Sequence, residues 1–141
     1  PLHIACENDN FDIVKILIEK GADINSKDYL ENTPLHIACE NDNLGIFKLL
    51  IEKGADVNLK NPEHNTSLHI ALKNDNLGIC KLLIEKGVDI NLKDNYGETP
   101  LYIACKNGNL EIIKLLIEKG ADINSKDYFI KNTIAKYRQT L

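Results

Sequence analysis

One pattern of residues recurs along this chain at a fixed interval of 33 residues. Its second copy, residues 33–58, reads TPLHIACENDNLGIFKLLIEKGADVN. The corresponding first positions in the four copies are Pro1, Pro34, Ser67 and Pro100. A repeat of this length is typical of a solenoid, in which each small unit buries its apolar face only against its neighbours. The chain is therefore predicted to form one stack of units rather than a domain around one central core.

Each unit is predicted to contain two helices, and the second copy shows this most clearly. Thr33 is a typical N-cap residue, and Pro34 suits the first helical position because its missing N–H would have no partner there. This first helix is expected to end near Asn41. A second helix is expected over residues 44–53, and Gly54 is placed to end it. This second helix is apolar around most of its circumference, so it must be buried on several sides.

The two motifs of the unit resemble those of the ankyrin repeat family. The T-P-L-H motif of that family corresponds here to Pro1–His3, which lacks the threonine, Thr33–His36, Thr66–His69 and Thr99–Tyr102. The family motif that ends in G-A-D-V-N corresponds to Ile13–Asn25, Ile46–Asn58, Ile79–Asn91 and Ile112–Asn124. The resemblance covers Pro1 to about Asp127. It implies an all-α ankyrin solenoid of stacked helix-turn-helix units with β-hairpin-like tips.

The resemblance also implies how the chain is divided. We expect a single ankyrin-repeat domain, residues 1–141, with repeats at 1–33, 34–66, 67–99 and 100–132. After Asp127 the pattern loosens, and residues 128–133 are expected to form a tip one residue longer than the earlier ones. Ile134, Tyr137 and Leu141 then recur at a helical spacing and predict a short amphipathic helix within 133–141. This helix is expected to be either a C-terminal cap or the start of a truncated fifth repeat. Because the chain lacks Met and opens inside a motif, we expect a fragment of a longer array.

The tips depart from the family pattern at one position. The family carries glycine in the tip sequence D-x-x-G-x-T, and only Gly97 matches it. Glu31 and His64 take this position in the two preceding tips. If they keep a left-handed backbone, each is expected to cost about 1–2 kcal/mol; a different turn is the alternative. Aspartate also replaces the family's glycine between the two helices, at Asp9, Asp42 and Asp75.

Composition and charge disfavour several classes of function. The chain has 17 Lys and Arg against 21 Asp and Glu, a net charge of −4, so it has no general attraction for nucleic acid or an anionic membrane. No apolar run approaches the roughly 20 residues of a membrane helix, and no secretory signal is visible. The four cysteines lack the short spacing of a zinc site and are expected to be small buried hydrophobes. A reducing compartment fits, so we expect an intracellular, cytoplasmic protein.

A histidine recurs at one repeat position and raises the question of a metal site. It is His3, His36 and His69 in the first three copies, and Tyr102 in the fourth. A metal ladder is one interpretation; the family resemblance implies instead a structural histidine that steadies the tip by hydrogen bonds. Motifs of the common catalytic and phosphate-binding sites are absent from the sequence. We therefore predict no enzyme activity, no cofactor, no metal and no small-molecule substrate.

The resemblance implies that a partner protein binds the tips and the concave face of the inner helices. The corresponding positions are Tyr29, Leu30, Asn32, Glu40 and Asn41; Pro62, Glu63, Asn65, Lys73 and Asn74; Asn95, Tyr96, Glu98, Lys106 and Asn107; and, continuing the row at the last tip, Tyr128 and Phe129. Tyrosine is a favoured hot-spot residue at interfaces, so the apolar tip residues are the strongest candidates. Each ring could instead pack on the neighbouring tip.

Charged residues give two further hypotheses about the partner. The groove changes sign, from Glu7 and Glu40 to Lys73 and Lys106, and would orient a partner with an acidic end. A lysine recurs at the tips, as Lys27, Lys60, Lys93 and Lys126. A plain solvated face is the alternative for both, and nucleic-acid binding through these lysines is disfavoured by the acidic total. The predicted function is a protein-interaction scaffold; the alternative is a targeting or regulatory arm of a larger multidomain protein.

Overall fold

In the computed structural model, residues 1–123 and 127–138 are described, and they form nine α-helices and no strand. The helices are α1 Leu2–Glu7, α2 Phe11–Glu19, α3 Pro34–Glu40, α4 Leu44–Glu52, α5 Ser67–Lys73, α6 Leu77–Glu85, α7 Pro100–Asn107, α8 Leu110–Glu118 and α9 Tyr128–Lys136. The first eight form four pairs at the interval of the sequence repeat, and α3 and α4 end within one residue of the predicted bounds. None of the helices in these residues is long and apolar enough to cross a membrane.

The helices pack in two layers along the stack. The inner layer contains α1, α3, α5, α7 and α9, and the outer layer contains α2, α4, α6 and α8, with each helix against its neighbour in the same layer. The inner helices α1, α3, α5 and α7 also pack on the outer helices of their own pairs. One apolar core therefore runs through the whole stack, as the repeat predicts. The prediction of an all-α solenoid is confirmed.

The cysteines belong to this core, as expected. All four are buried and carry free thiols. Burial raises the pKa of Cys80 to about 12, and burial together with nearby carboxylates raises that of Cys6 to about 12. Thiols of this kind are almost wholly protonated at neutral pH, so they pack as small apolar groups and are poor nucleophiles.

The recurring histidine ties each inner helix to the tip that follows its pair. Thr33 Oγ1 accepts from the N–H of His36 at 3.3 Å, and His36 Nδ1 accepts from the N–H of Thr33 at 3.1 Å. Because Nδ1 accepts here, the ring proton lies on Nε2, which donates to the carbonyl of Leu59 at 3.0 Å. Burial lowers the pKa of His36 and favours this neutral form.

The other copies repeat this bond and settle the role of the histidine. His69 Nε2 lies 3.2 Å from the carbonyl of Glu98, and His3 Nε2 lies 2.9 Å from that of Asn32. The structural interpretation is therefore confirmed. Within residues 1–123 and 127–138, no group of three His, Cys, Asp or Glu side chains is placed to hold a metal ion.

The tips keep the left-handed backbone that the family glycine would favour. Glu31 and His64 both have φ of 60°, close to the 75° of Gly97. The N–H of His64 donates to the carbonyl of Asn61 at 2.9 Å and closes the turn. The alternative of a different turn is therefore wrong. The aspartates between paired helices, Asp9, Asp42 and Asp75, also have positive φ, between 52° and 58°.

Replacing His64 by glycine is expected to stabilise the protein. The His64 side chain is exposed, so little packing is lost, and the left-handed strain disappears. The strain of about 1–2 kcal/mol exceeds the roughly 0.5–1 kcal/mol that glycine costs through its flexible unfolded state, which leaves a gain of about 0.5–1 kcal/mol. Urea unfolding followed by circular dichroism measures this gain. A lower midpoint for His64→Gly would show that the turn is not strained.

The C-terminal helix begins earlier than the sequence predicted. The sequence analysis placed a tip at residues 128–133 with a helix after it, but α9 already begins at Tyr128. Asp127 caps it, because its side chain accepts from the N–H groups of Phe129 and Ile130 at 2.8 and 3.2 Å. Ile130 stands where the earlier tips have a left-handed residue, and a β-branched side chain disfavours that backbone.

This helix occupies the place of an inner helix. It packs on α7, as α7 packs on α5. Ile130 and Thr133 are buried in that contact, and Ile134 is half-buried. Of the predicted apolar face, Leu141 lies outside the described residues. Both interpretations, a cap and a truncated repeat, are compatible with this packing.

Candidate protein-binding surface

Each of the first three tips is built around one polar side chain. Asp28, Asn61 and Asp94 occupy the same repeat position. In each, the Oδ1 atom accepts hydrogen bonds from the backbone N–H groups two and four residues later, at 2.8 to 3.0 Å. This turn holds the two residues after the Asp or Asn at the outermost point of the tip.

The large apolar side chains at these points are exposed. Tyr29 is 92% exposed, Leu30 56% and Tyr96 75%. Tyr29 therefore does not pack on a neighbouring tip, and that alternative is wrong for this ring. Tyr96 is contacted only in part, with Lys73 Nζ lying 5.7 Å from its ring centroid. These side chains are available to a partner surface.

The remaining predicted tip residues divide into two groups. Exposed ones are Pro62, Glu63 and Asn95, and the N–H of Asn95 donates to the carbonyl of Glu63 at 3.0 Å, which joins adjacent tips. Those that turn toward the protein are Asn32 and Glu98, which are half-buried, and Asn65, which is buried. Asn65 was predicted to contact a partner, but its side chain is used inside the protein.

The predicted row of tips does not extend to the last two aromatic residues. Tyr128 and Phe129 lie in the first turn of α9 rather than at a tip, which corrects the prediction. Tyr128 is 75% exposed, whereas Phe129 packs edge-on against Tyr102 with ring centroids 5.8 Å apart. The earlier start of α9 is the physical reason for this difference.

The groove residues lie at the ends of the inner helices. All six predicted there are exposed: Glu40, Asn41, Lys73, Asn74, Lys106 and Asn107. The asparagines among them also join adjacent repeats. Asn107 Nδ2 donates to the carbonyl of Leu72 at 2.7 Å, and Asn74 Nδ2 to Glu40 Oε2 at 3.2 Å. The sequence analysis assigned these asparagines to binding alone and missed their role in stacking.

Lys73 is engaged inside the protein, which changes the charge of the groove. Its Nζ lies 2.7 Å from Oδ2 of Asp94, whose side chain has no exposed surface, and 3.0 Å from Oδ1 of Asn65. Burial acts to raise the pKa of Asp94, but the hydrogen bonds from Lys73 and two backbone N–H groups hold it below its usual value. The charge of Lys73 is therefore largely neutralised, and the expected basic half of the groove is weaker than the sequence suggests.

The tip lysines are not equivalent. Lys27 and Lys93 are exposed, but Lys60 is half-buried and its Nζ lies 3.5 Å from the carbonyl of Lys93. Lys126 lies outside the described residues. The described lysines therefore do not form one uniform basic row.

The comparison with known proteins agrees with this architecture. A family model described as ankyrin repeats, in three copies, matches residues 1–61 and 57–127. No curated protein matches the chain. The matched residues include helices α1 to α8 and the tips between the helix pairs. They also include the repeated histidine or tyrosine position, which holds His3, His36, His69 and Tyr102. The chain therefore belongs to the ankyrin repeat family.

Proposed function

We propose that this chain is a scaffold that binds another protein through its tips and the concave face of its inner helices. Ankyrin repeats are, in general, protein–protein interaction modules. The observation that carries the proposal is the exposure of Tyr29, Leu30 and Tyr96 at the first and third tips, because the stack does not need large apolar side chains there. The central contacts of an interface are often aromatic side chains of this kind.

The contact surface we propose is narrower than the sequence indicates. Its centre is Tyr29, Leu30 and Tyr96, with Pro62, Glu63 and Asn95 between them and Glu40 and Lys106 on the groove side. In this proposal five residues support the surface rather than form its centre, because they make stacking or internal bonds: Asn41, Asn74, Asn107, Asn65 and Lys73. Tyr128 and Phe129 would extend the surface along α9 rather than along the tips.

We propose that the chain is not itself catalytic. His36 and His69 are used in helix caps, His3 bonds the carbonyl of Asn32, and the thiols are buried, so these groups do not form a reactive cluster. The free thiols also support a reducing, cytoplasmic location. If the activity of a larger polypeptide lies elsewhere, this surface would serve as its targeting or regulatory arm.

Capture from a lysate of the organism that encodes the chain tests this function. The bait is the wild type, and the comparison is a variant with Tyr29→Ala, Leu30→Ala and Tyr96→Ala. These three side chains are exposed, so the variant is expected to fold and to lose the partner. A matched control replaces three exposed residues of the outer helices, as Lys48→Ala, Glu52→Ala and Glu85→Ala, and should keep the partner.

The retained proteins are identified by mass spectrometry after circular dichroism confirms that all three baits are folded. A protein retained by the wild type and the control but lost from the tip variant supports the proposal. Equal retention by all three baits would place binding away from the tips. If none retains a specific protein, the scaffold function is contradicted.

A further inference from the structure

Lys73 shows how the protein places a cation between the groove and a tip. Its Nζ lies 2.7 Å from a carboxylate oxygen of Asp94 and 5.7 Å from the centroid of the Tyr96 ring. One ammonium group therefore contacts a carboxylate and an aromatic side chain at the same time. Both contacts favour a cation at this point.

The first tip has the same framework but lacks the cation. Two repeats earlier, the residues that correspond to Lys73, Asp94 and Tyr96 are Glu7, Asp28 and Leu30. Asp28 Oδ1 accepts from the N–H groups of Leu30 and Asn32, at 2.9 Å each, just as Asp94 does in its own tip. The stack therefore presents Asp28 to the end of α1 as it presents Asp94 to the end of α5. The residue at that end is a second carboxylate, Glu7.

Lys27 does not replace the missing cation. It immediately precedes Asp28, and Lys93 precedes Asp94 in the same way. In the later tip the carboxylate is nevertheless bound by Lys73 from the inner helix rather than by its neighbour Lys93. In the later tip the cation therefore comes from the groove side, and at the first tip the corresponding described residues on that side are Glu7 and, one repeat further, Glu40, both exposed.

Apolar surface lies directly beside these carboxylates. Tyr29 and Leu30 follow Asp28 in the chain and are 92% and 56% exposed. The aliphatic stem of one cationic side chain would cover only part of this apolar surface, so a single partner residue would not satisfy both the charge and the whole of that surface. Two adjacent side chains of one segment, one cationic and one apolar, would do so.

We propose that Glu7, Asp28, Tyr29 and Leu30, which we name the first-tip site, bind a lysine or arginine that a partner protein presents next to an apolar side chain. The cation takes the place that Lys73 Nζ has in the later tip, and the apolar side chain covers Tyr29 and Leu30. The inference rests on the proposed scaffold function and gives the class of partner. It moves the main charged contact to the Glu7 end of the groove, whereas the hypothesis from the sequence placed an acidic end of the partner at Lys73 and Lys106.

The test uses a defined probe, the peptide acetyl-Leu-Arg-Leu-amide, titrated into 15N-labelled protein and followed by NMR. Concentrations up to about 10 mM register even a millimolar affinity, and salt of about 20 mM limits screening. The backbone N–H signals of Tyr29, Leu30 and Asn32 are expected to shift in a saturable way. The same peptide with citrulline, which is neutral and nearly isosteric with arginine, should cause little change.

Glu7→Lys is the decisive variant, because it supplies from α1 the internal cation that Lys73 supplies from α5. It is expected to abolish the shifts caused by the arginine peptide at the first tip. Glu19→Lys is the matched control, since Glu19 is the exposed last residue of α2 and the change in net charge is identical. This control should bind like the wild type.

Three results would overturn the inference: no saturable shift at the first tip, equal shifts with the citrulline peptide, or equal binding by Glu7→Lys and the wild type. The outcome is separable from that of the scaffold function. A captured protein that depends on Tyr96 but not on Glu7 would leave the scaffold function standing without the first-tip site. Peptide binding at the first tip without any captured protein would support the first-tip site and contradict the scaffold function.

Discussion

Replacing Phe47 by alanine is expected to lower the free energy of unfolding by about 3–5 kcal/mol. Phe47 lies in α4 and has no exposed surface. The corresponding residues of the other repeats, Val14, Cys80 and Ile113, are also fully buried. In the following repeat this position holds Cys80, whose small side chain cannot fill the space that the Phe47 ring leaves. The loss therefore includes both the transfer of the ring and the cavity.

Urea unfolding followed by circular dichroism measures this loss, with Lys48→Ala as the control. Lys48 is the next residue and is exposed, so its replacement should change the stability by no more than about 0.5 kcal/mol. Because neighbouring units stabilise one another, we also expect Phe47→Ala to broaden the transition. Losses of similar size in both variants would contradict the central position of this ring in the core.

Most of the fold could be predicted from the sequence because the same local signals recur in every unit. Thr33 and Pro34 mark a helix start, and Gly54 marks a helix end, through backbone requirements that depend on nearby residues alone. Because the sequence repeats, the helix bounds predicted for one unit apply to the next unit as well. The structural role of His36 follows in the same way, although its actual acceptor, the carbonyl of Leu59, lies in the following tip.

The start of α9 was missed because the repeat was continued one unit too far. The sequence did contain a signal, since Ile130 stands at the position of Gly97, where a left-handed backbone is needed. A β-branched residue resists that backbone. Asp127 then accepts from the N–H three residues later rather than four, and a helix follows instead of a tip.

The use of Lys73 could not be read from the repeat. The same position holds Glu7 and Glu40 in earlier copies, so the period indicates only that the residue faces the groove. Whether its charge reaches a partner depends on the tip that follows, and Asp94 provides a buried carboxylate there. The repeat therefore indicates which residues lie at the groove but cannot give the net charge of that surface.

The second large effect on stability is expected when the ion pair between Lys73 and Asp94 is broken. Lys73→Met removes the ammonium group that compensates the buried Asp94 carboxylate, and is expected to cost about 1–3 kcal/mol. This cost is smaller than the cost of breaking a fully buried ion pair, because the Lys73 side chain is 31% exposed and water screens its charge. Adding Asp94→Asn should restore part of this loss. Asn61, at the same position in the preceding tip, shows that a neutral amide accepts the same two backbone bonds, at 3.0 Å each.

The four proteins of this cycle, wild type, both single variants and the double variant, are compared by urea unfolding at neutral pH. A double variant less stable than Lys73→Met alone would show that the carboxylate does not need its partner. The pH dependence gives an independent check. The folded-state pKa of Asp94 is held below its usual value, so its contribution is present above the unfolded pKa and is lost as pH falls through the folded pKa.

Lys73→Met removes one of the hydrogen bonds that hold this pKa down, while burial continues to raise it. The variant is therefore expected to lose less stability than the wild type between neutral and acidic pH, so the difference between the two proteins narrows as pH falls. A constant difference over this range would mean that Lys73 stabilises the protein by packing on Tyr96 rather than through the charge of Asp94. The same result would weaken the comparison between the two tips, because the first-tip site is inferred from a cation bound to that carboxylate.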